Sequence, residues 1–218
     1  SRSCLRMRVA IIGTNLSNLI CAHTILDKYP DVELHLIDER AETGLMGEGP
    51  GLLTGHFEDL FPNDWHHHLG SQQPNHESTA LRRSWLEKSI ASKLSERGAV
   101  LHLRTRTTIE DEAVKTHLHL TGAGISSEQE LVVDHLLSPI PETESNAWFG
   151  GVHNGDMKDS SYEGSRSDGL VEIWWQGEEA SQYEGRKWLQ LMEWRGADPR
   201  TALFDAISRG RALAATIL

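Results

Sequence analysis

The chain has 218 residues, 38% of them hydrophobic and 24% charged, a composition typical of a globular protein with one sizeable core or one domain with a large insertion. Its formal net charge of -11 argues against unspecific nucleic-acid binding, which needs clustered basic side chains to replace phosphate counterions. No apolar run approaches the roughly 20 residues that span a bilayer, so we expect no membrane segment and a small molecule or another protein as the partner.

The first elements along the chain are a strand, a glycine turn, a helix and a second strand. RVAII, at 8–12, is β-branched and apolar without alternation, which is typical of a strand buried on both faces of a parallel sheet. Gly13 ends this strand, and from Leu16 the apolar positions recur at helical spacing. VELHLID, at 32–38, follows as the second strand. The unit predicts two parallel strands with a right-handed crossover.

The turn occupies the place of a dinucleotide-binding fingerprint, which needs three glycines and an acidic residue at the end of the second strand. Those positions hold Gly13, Asn15, Asn18 and Asp38. Asparagine tolerates left-handed backbone angles, so the turn can persist, but the Asn15 side chain takes space that a phosphate needs. It could also cap the helix or donate its amide to a phosphate. Asn18 predicts either a slightly displaced helix or a side chain turned into a polar niche.

The middle of the chain predicts a long loop, a helix and further strands. Residues 40–78 are rich in Gly, Pro, His and Asn, which is unusual inside a compact domain and more often functional. The apolar stripe of 78–98 predicts a helix. AVLHLRTRT at 99–107 follows as one strand, and the segments 115–122 and 129–139 predict a pair of strands joined as a hairpin.

The last third predicts a polar excursion, a tryptophan-rich hairpin and a closing helix. Residues 139–168 are mostly polar and indicate a surface excursion. Residues 170–177 and 186–194 look like two strands linked by an acidic turn, and they carry four tryptophans, which are more often core or interface than ligand-binding. A homodimer through this hairpin is one interpretation. Residues 198–218 predict a helix with proline in its first turn.

Histidines and cysteines point to no metal site. Adjacent histidines such as His66, His67 and His68 point in different directions on an extended chain, and no cysteine or paired carboxylate completes a ligand set. Cys4 and Cys21 suggest neither a disulfide framework nor a zinc site, which favours a reducing cytoplasm.

The order of these features resembles the FAD-dependent oxidoreductases of the glutathione-reductase-like superfamily, particularly its monooxygenase and halogenase-like members. Four segments carry the resemblance: the unit from Val9 to Arg40, GLMGEGPG at 44–51, the helix and strand at 82–105, and the closing segment 197–218. The resemblance implies an α/β fold, a Rossmann-like three-layer FAD-binding domain with a small antiparallel β insertion. Residues 7–218 would form this single domain, with 139–195 as a reduced substrate-domain-like insertion and 196–218 as the closing helix.

The resemblance also implies FAD as the cofactor and a set of residues that bind it. That set is Gly13, Asn15, Leu16, Ser17, Asn18, Asp38, Glu39, Arg40, Gly47, Arg83 and Asp198. The turn and the helix N-terminus would face the pyrophosphate, where N–H groups and the helix dipole favour negative charge. Asp38 or Glu39 would hold the adenosine ribose. Arg83 would bind a phosphate or the flavin edge, and Asp198 the ribityl chain.

The implied function is that of an FAD-binding flavoprotein, an oxidoreductase with an unknown substrate and no catalytic acid or base that the sequence names. Two departures leave alternatives open: the chain is shorter than most family members, and LVVDHLLSP lacks the Ala-x-Gly ending that meets the cofactor. The Rab GDP-dissociation inhibitor group shares the fold without flavin catalysis. A non-catalytic binding or scaffold protein that has lost the cofactor is therefore the alternative, and an NAD-binding dehydrogenase is a third, which the terminal helix disfavours.

Overall fold

A computed structural model describes residues 6–44, 48–61, 64–112, 114–124, 129–138, 145–158, 160–177 and 185–218. The chain divides into two compact units. The first comprises Ser1–Thr43, Ile90–Ile140 and Ile207–Leu218, and the second comprises Gly44–Ser89 and Pro141–Ala206. That residues 7–218 act as a single FAD-binding domain stays a prediction.

The described residues contain α-helices, one 3-10 helix and strands. The helices are α1 Leu16–Lys28, α2 Phe57–Leu60, the 3-10 helix Asp64–Gln72, α3 Arg83–Glu96 and α4 Ala202–Ala215. The strands are β1 Arg8–Ile12, β2 Glu33–Ile37, β3 Val100–His102, β4 Arg106–Glu112, β5 Thr116–Thr121, β6 Gln129–Val133, β7 His135–Leu137, β8 Asn146–His153, β9 Glu163–Ser165, β10 Val171–Trp175 and β11 Gln190–Gly196. Among the described residues, no helix combines the length and apolar character needed to cross a bilayer.

A parallel sheet in the order β3-β2-β1-β7 is the framework of the first unit. The central residues of β1, Val9 to Ile11, are fully buried, because strands lie on both sides of β1 and side chains cover both faces. Helix α1 connects β1 to its parallel neighbour β2, with Val9 opposite Leu34. The predicted strand, helix and strand are confirmed, and so is the mixed α/β fold class with its Rossmann-like parallel sheet.

A three-stranded antiparallel sheet, β4-β5-β6, completes the first unit. The predicted pairing of 115–122 with 129–139 is confirmed for β5 and β6, which are antiparallel neighbours. The strand predicted over 129–139 is divided after Val133, because β7 pairs in parallel with β1 and belongs to the parallel sheet. The single strand predicted over 99–107 is wrong. The chain turns at Leu103 and Arg104, where Arg104 has φ +50°, so that β3 joins the parallel sheet and β4 the antiparallel one.

The second unit contains a four-stranded antiparallel sheet in the order β11-β8-β10-β9. The surface excursion predicted over 139–168 is wrong where β8 forms. The predicted hairpin of 170–177 with 186–194 is also wrong, because β8 lies between β10 and β11 and pairs with both of them. Two glycines of β8 explain why the sequence did not predict this buried strand. A Cβ at Gly150 would lie 2.8 Å from the Trp174 ring, and one at Gly151 would lie 2.2 Å from Trp188. The apolar cover of β8 therefore comes from tryptophans on other segments.

The tryptophans of these strands bury most of their surface within the second unit. Trp174 is 1% exposed in a cluster with Leu52, Trp148, Val152 and other apolar side chains. A second cluster joins Ile173, Trp175 and Trp188. The core interpretation of the tryptophans is confirmed for Trp174 and Trp175. The antiparallel part of the fold is larger than the predicted hairpin, because β8 and β9 belong to it.

Candidate functional site

Asn15 caps helix α1 at the glycine turn that joins β1 to α1. Gly13 has φ +95°, in the left-handed region that favours glycine, and its N–H donates to the Ile37 carbonyl at 2.7 Å. Asn15 is the N-cap of α1 in an extended conformation, and its Oδ1 accepts from the Asn18 N–H at 2.9 Å. The second glycine position therefore needs no left-handed residue here. Of the alternatives for Asn15, the structure shows the capping one.

Asn18, at the third glycine position, is fully buried in the polar niche that was one of the two predictions. Its Nδ2 donates to the carbonyls of Ile12 at 2.8 Å and Gly13 at 3.2 Å. Its Oδ1 is buried and accepts no hydrogen bond from the described residues. The side chain thus ties the end of β1 to the first turn of α1, a role that a glycine could not perform. Close packing of α4 on the same helix persists, since a Cβ at Gly210 would lie 2.3 Å from the Ser17 carbonyl.

Asp38, the acidic residue at the end of β2, is 7% exposed and already bonded within the chain. Its Oδ2 accepts from the Thr14 N–H at 2.9 Å and the Thr14 hydroxyl at 2.6 Å. The Arg40 N–H and guanidinium bond both carboxylate oxygens at 2.8 to 3.1 Å. Burial alone raises the pKa of this carboxyl, but the hydrogen bonds from Arg40 and Thr14 outweigh it and hold the pKa at about 2.

These bonds fill the acceptor capacity of Asp38, because a carboxylate offers about four lone-pair sites. A ribose hydroxyl can bond this carboxylate only where the Arg40 guanidinium gives up a position. The Arg40 side chain is 32% exposed and the neighbouring Glu39 is exposed. The sequence did not predict Thr14 as a partner of Asp38. The signal that could have identified it is its position directly after the turn glycine, next to the end of β2.

Arg83, in the second unit, carries an unsatisfied donor. Its side chain is 11% exposed, and its Nε donates to the Glu87 carboxylate at 3.4 Å. Its Nη1 is buried and has no acceptor among the described residues. The guanidinium packs against the backbone of Gly49, where a Cβ would lie 2.9 Å from this Nη1. Gly47, predicted in the same loop, lies outside the described residues.

Glu48, next to that loop glycine, is a buried carboxylate that sequence reasoning missed. It accepts from the Arg82 guanidinium at 2.9 Å, the Gln190 amide at 2.8 Å and the Ser84 hydroxyl. Burial raises the pKa of Glu48, but these hydrogen bonds outweigh it and lower the pKa below its usual value. Glu48 and Lys88 line a cavity of about 370 Å³ in the second unit.

Asp198, the predicted ribityl-binding residue, is held by Arg200. The Arg200 N–H and guanidinium bond both Asp198 oxygens at 2.7 to 3.1 Å, and this pairing lowers the pKa of the carboxyl. The Arg200 guanidinium also lies 4.6 Å from the Tyr162 ring centroid.

Of the predicted cofactor-binding residues, the structure brings the turn residues, Asp38 and Arg40 together in the first unit. Arg83 and Asp198 belong to the second.

One group of ligand-type side chains in the first unit could hold a metal ion. The ligand atoms of Glu110, His119 and Glu130 lie within 4.8 Å of one another on neighbouring strands of the three-stranded sheet. They are partly or fully exposed, and solvated acidic groups of this kind are common without an ion, so we assign no metal to them. In the predicted histidine run, His66 packs edge-on against Phe57, and burial lowers the pKa of its imidazole.

Comparison of the fold with solved structures shows similarity over nearly the whole chain. A flavoprotein/dehydrogenase from Cytophaga hutchinsonii matches with a TM-score of 0.65 and 11% identity, over 96% of this chain and 77% of that one. CabE, an aromatic hydroxylase from angucycline biosynthesis, matches with a TM-score of 0.60 and 12% identity, over 97% of this chain and 62% of that one. CmlS, a flavin-dependent halogenase, matches with a TM-score of 0.63 and 12% identity, over 98% of this chain and 58% of that one.

These similarities establish the fold. No family model matches the chain, and no curated protein matches its sequence. The chain spans about three quarters of the Cytophaga flavoprotein and less than two thirds of CabE and CmlS. At 11% to 12% identity the residues of the site must be judged by their own geometry.

Proposed function

We propose that this chain is an FAD-binding flavoprotein of the oxidoreductase class, with the FAD-binding fold of the glutathione-reductase-like superfamily. The observation that carries the proposal is the extent of the fold similarity. It covers at least 96% of the chain against each of three proteins whose names state flavoprotein, hydroxylase or flavin-dependent halogenase. At that coverage the similarity extends into both compact units and is not limited to one of them.

The described residues fit FAD at two points and meet one obstacle. The turn at Gly13 and the N-terminus of α1 form the kind of end at which N–H groups and the helix dipole favour a pyrophosphate. The unsatisfied Nη1 of Arg83 is a buried donor suited to a phosphate oxygen or a flavin carbonyl. The obstacle is the Arg40 guanidinium, which holds the Asp38 carboxylate that would bind ribose.

Bound FAD would supply the redox chemistry through its isoalloxazine ring. The chain's residues would bind and orient it. Leu16 and Ser17 would present backbone N–H groups to the pyrophosphate, and Asp38 or Glu39 would face the ribose, with Arg40 withdrawn toward solvent. Asp198 would hold the ribityl chain in the same way, by exchanging its Arg200 bonds for hydroxyl bonds. Asn15 caps the helix and leaves its Nδ2 free to be offered to a phosphate.

The test is the flavin content of the purified protein. A yellow preparation with flavin absorbance, which releases FAD on heating, is the expected result. Asp38→Ala and Asp198→Ala should each weaken retention, whereas Asn15→Gly should leave it unchanged or tighten it. A colourless protein that takes up no flavin from excess FAD would overturn the proposal and leave the non-catalytic binding protein as the function to pursue.

The predicted homodimer through the tryptophan-rich strands stays a proposal of its own. Leu189 and Leu191, next to and on the edge strand β11, are 58% and 66% exposed, which supports a partner there. Sedimentation of the native chain and of Leu191→Glu tests it. A dimer that dissociates in the variant is expected, and a native monomer at high concentration rules the dimer out.

A further inference from the structure

Two histidines form a pair at the edge of the parallel sheet in the first unit. His35 on β2 is 7% exposed, and His102 on the edge strand β3 is half-buried beside it. Their ring centroids lie 5.1 Å apart, and His35 Nδ1 lies 2.8 Å from His102 Nε2. The other ring nitrogen of His35, Nε2, lies 3.0 Å from the Glu33 carboxylate. The three side chains therefore form a hydrogen-bonded chain that joins β2 to β3.

The Glu33 carboxylate determines the direction of these hydrogen bonds. The bond from His35 lowers the pKa of Glu33, and the bond from Arg8 adds to this against a smaller opposing effect of burial. At neutral pH Glu33 is therefore ionised and can only accept. His35 Nε2 must then carry a proton and donate to Glu33, so in the neutral ring Nδ1 accepts from the His102 Nε2–H. Every donor in the chain has its acceptor while both imidazoles are neutral.

The pair can accept one additional proton but not two. A single added proton leaves one imidazole to donate and the other to accept in the bond between the rings. A second proton gives both facing nitrogens an N–H, which removes that hydrogen bond and brings two positively charged rings into contact. The two imidazoles therefore titrate as a coupled pair whose second proton is opposed.

The surroundings of the pair offer little compensation for a second positive charge. Glu33 already bonds Arg8 of β1 at 3.0 Å, and Asp134, after β6, bonds the Arg8 N–H. Ile37, the next residue of β2 on the same face, belongs to an apolar cluster with the leucines of β5. The histidines of β5 alternate with those leucines and so lie on the opposite face of their strand. A second charge on the pair would therefore lie beside apolar side chains.

The edge strand β3 is short, and it also holds the backbone that follows β2. It contains three residues, Val100–His102, and among the described strands it pairs only with β2. The Asp38 N–H donates to the His102 carbonyl, and the Thr105 N–H donates to the Asp38 carbonyl, each at 2.9 Å. Loss of the histidine contact would therefore loosen the segment that carries the Asp38 carboxylate.

We propose that Glu33, His35 and His102 form a pH-sensitive latch, which holds β3 against β2 at neutral pH and opens in acid when both imidazoles become protonated. In the closed latch the pKa of His102 lies below its usual 6.5, because burial and then the neighbouring His35 disfavour the charged ring. In the open latch both rings face water. Acid favours the open state because that state binds more protons. The latch does not depend on FAD, whereas a loss of FAD through the loosened Asp38 segment rests on the proposed function.

Amide hydrogen exchange of the purified full chain at pH 7.5 and pH 5.5 tests the latch, after correction for the intrinsic effect of pH on exchange. The reporters are the amides of Asp38, Arg104 and Thr105, whose N–H groups bond between the end of β3 and the segment after β2. One imidazole that is protonated only in the open state raises the open population about tenfold over this interval. We expect the protection of these amides to fall about tenfold, and constant protection would overturn the proposal.

The discriminating variant is His102→Gln, whose amide can donate to His35 Nδ1 but takes up no proton. Its protection should change less than about threefold between the two pH values. The matched control is His117→Gln on β5, which should keep the native fall. An equal fall in His102→Gln and His117→Gln would overturn the latch. If His102→Gln does not fold, nitrogen-15 NMR of the native chain decides: His102 should stay neutral at pH 5.5 in the closed state, and a charged His102 with full protection would overturn the proposal.

Discussion

The Asp38 carboxylate should stabilise the first unit by an amount that depends on pH. The pKa of Asp38 falls from its usual 3.8 to about 2, because the bonds from Arg40 and Thr14 outweigh burial. A group with a lowered folded pKa stabilises the protein above its unfolded pKa, and that contribution disappears as the pH falls through the folded pKa. The shift corresponds to about 2 kcal/mol at neutral pH, with little screening because Asp38 is 7% exposed.

Asp38→Asn removes this charge and keeps a similar shape. Its free energy of unfolding should lie about 2 kcal/mol below that of the native chain at pH 7, and the difference should shrink to about half near pH 3. Glu39→Gln, one position on and exposed, is the matched control and should change stability by less than about 0.5 kcal/mol.

Urea unfolding followed by far-UV circular dichroism is the appropriate assay. All seven tryptophans of the sequence fall within the ranges of the second unit, so tryptophan fluorescence would report on the wrong unit. Equal stability of the two variants at pH 7, or a difference that stays constant down to pH 3, would refute the role assigned to the Arg40 and Thr14 bonds.

Three further substitutions have expected outcomes. Asn15→Ala should lower the free energy of unfolding by about 1 kcal/mol and Asn15→Gly by only a few tenths, because only alanine both removes the cap and disfavours the N-cap backbone; equal losses in urea titrations would contradict the cap. Gly210→Ala should cost about 1 to 3 kcal/mol, since the new Cβ would meet the Ser17 carbonyl; an unchanged melting temperature would show that α4 can shift. Arg83→Met should reduce FAD retention, because it removes the buried Nη1 donor that has no acceptor among the described residues, and it also removes the bond to Glu87; retained flavin on gel filtration would exclude Arg83 from the cofactor site.

The sequence predicted β1, α1 and β2 of the parallel sheet because each of their signals is local, whereas β7 was predicted as part of an antiparallel hairpin. RVAII reads as a buried strand, Gly13 as a turn and the segment from Leu16 as a helix, and the structure has β1, the left-handed turn and α1 at those positions. The acid at the end of β2 was identified for the same reason. Its partner Thr14 and the closure by Arg40 were not, because side-chain hydrogen bonding depends on how the turn and the strand end meet in three dimensions.

The second unit was harder because its packing is non-local. β8 carries glycines where apolar side chains are expected, and the Trp174 and Trp188 rings that cover them come from elsewhere in the chain. The sequence contains one indication of the buried pair of Arg166 and Glu172. A charged residue inside the apolar run VEIWW must be paired when the strand is buried on both faces, yet the sequence does not say with which arginine.

The two acids predicted to bind the cofactor have the same hydrogen-bonding arrangement with an arginine two residues further along the chain. Asp38 and Arg40, and likewise Asp198 and Arg200, form an Asp-x-Arg clamp in which the arginine N–H bonds Oδ1 and its guanidinium bonds both oxygens. A ligand hydroxyl can therefore bond Asp38 only by exchange with the Arg40 guanidinium, whereas Asp198 accepts from Arg200 alone and keeps part of its acceptor capacity. Salt weakens exposed ion pairs more than buried ones. Asp198, 27% exposed, should thus release its arginine more readily than Asp38, 7% exposed, and the ribityl contact should form at lower cost than the ribose contact.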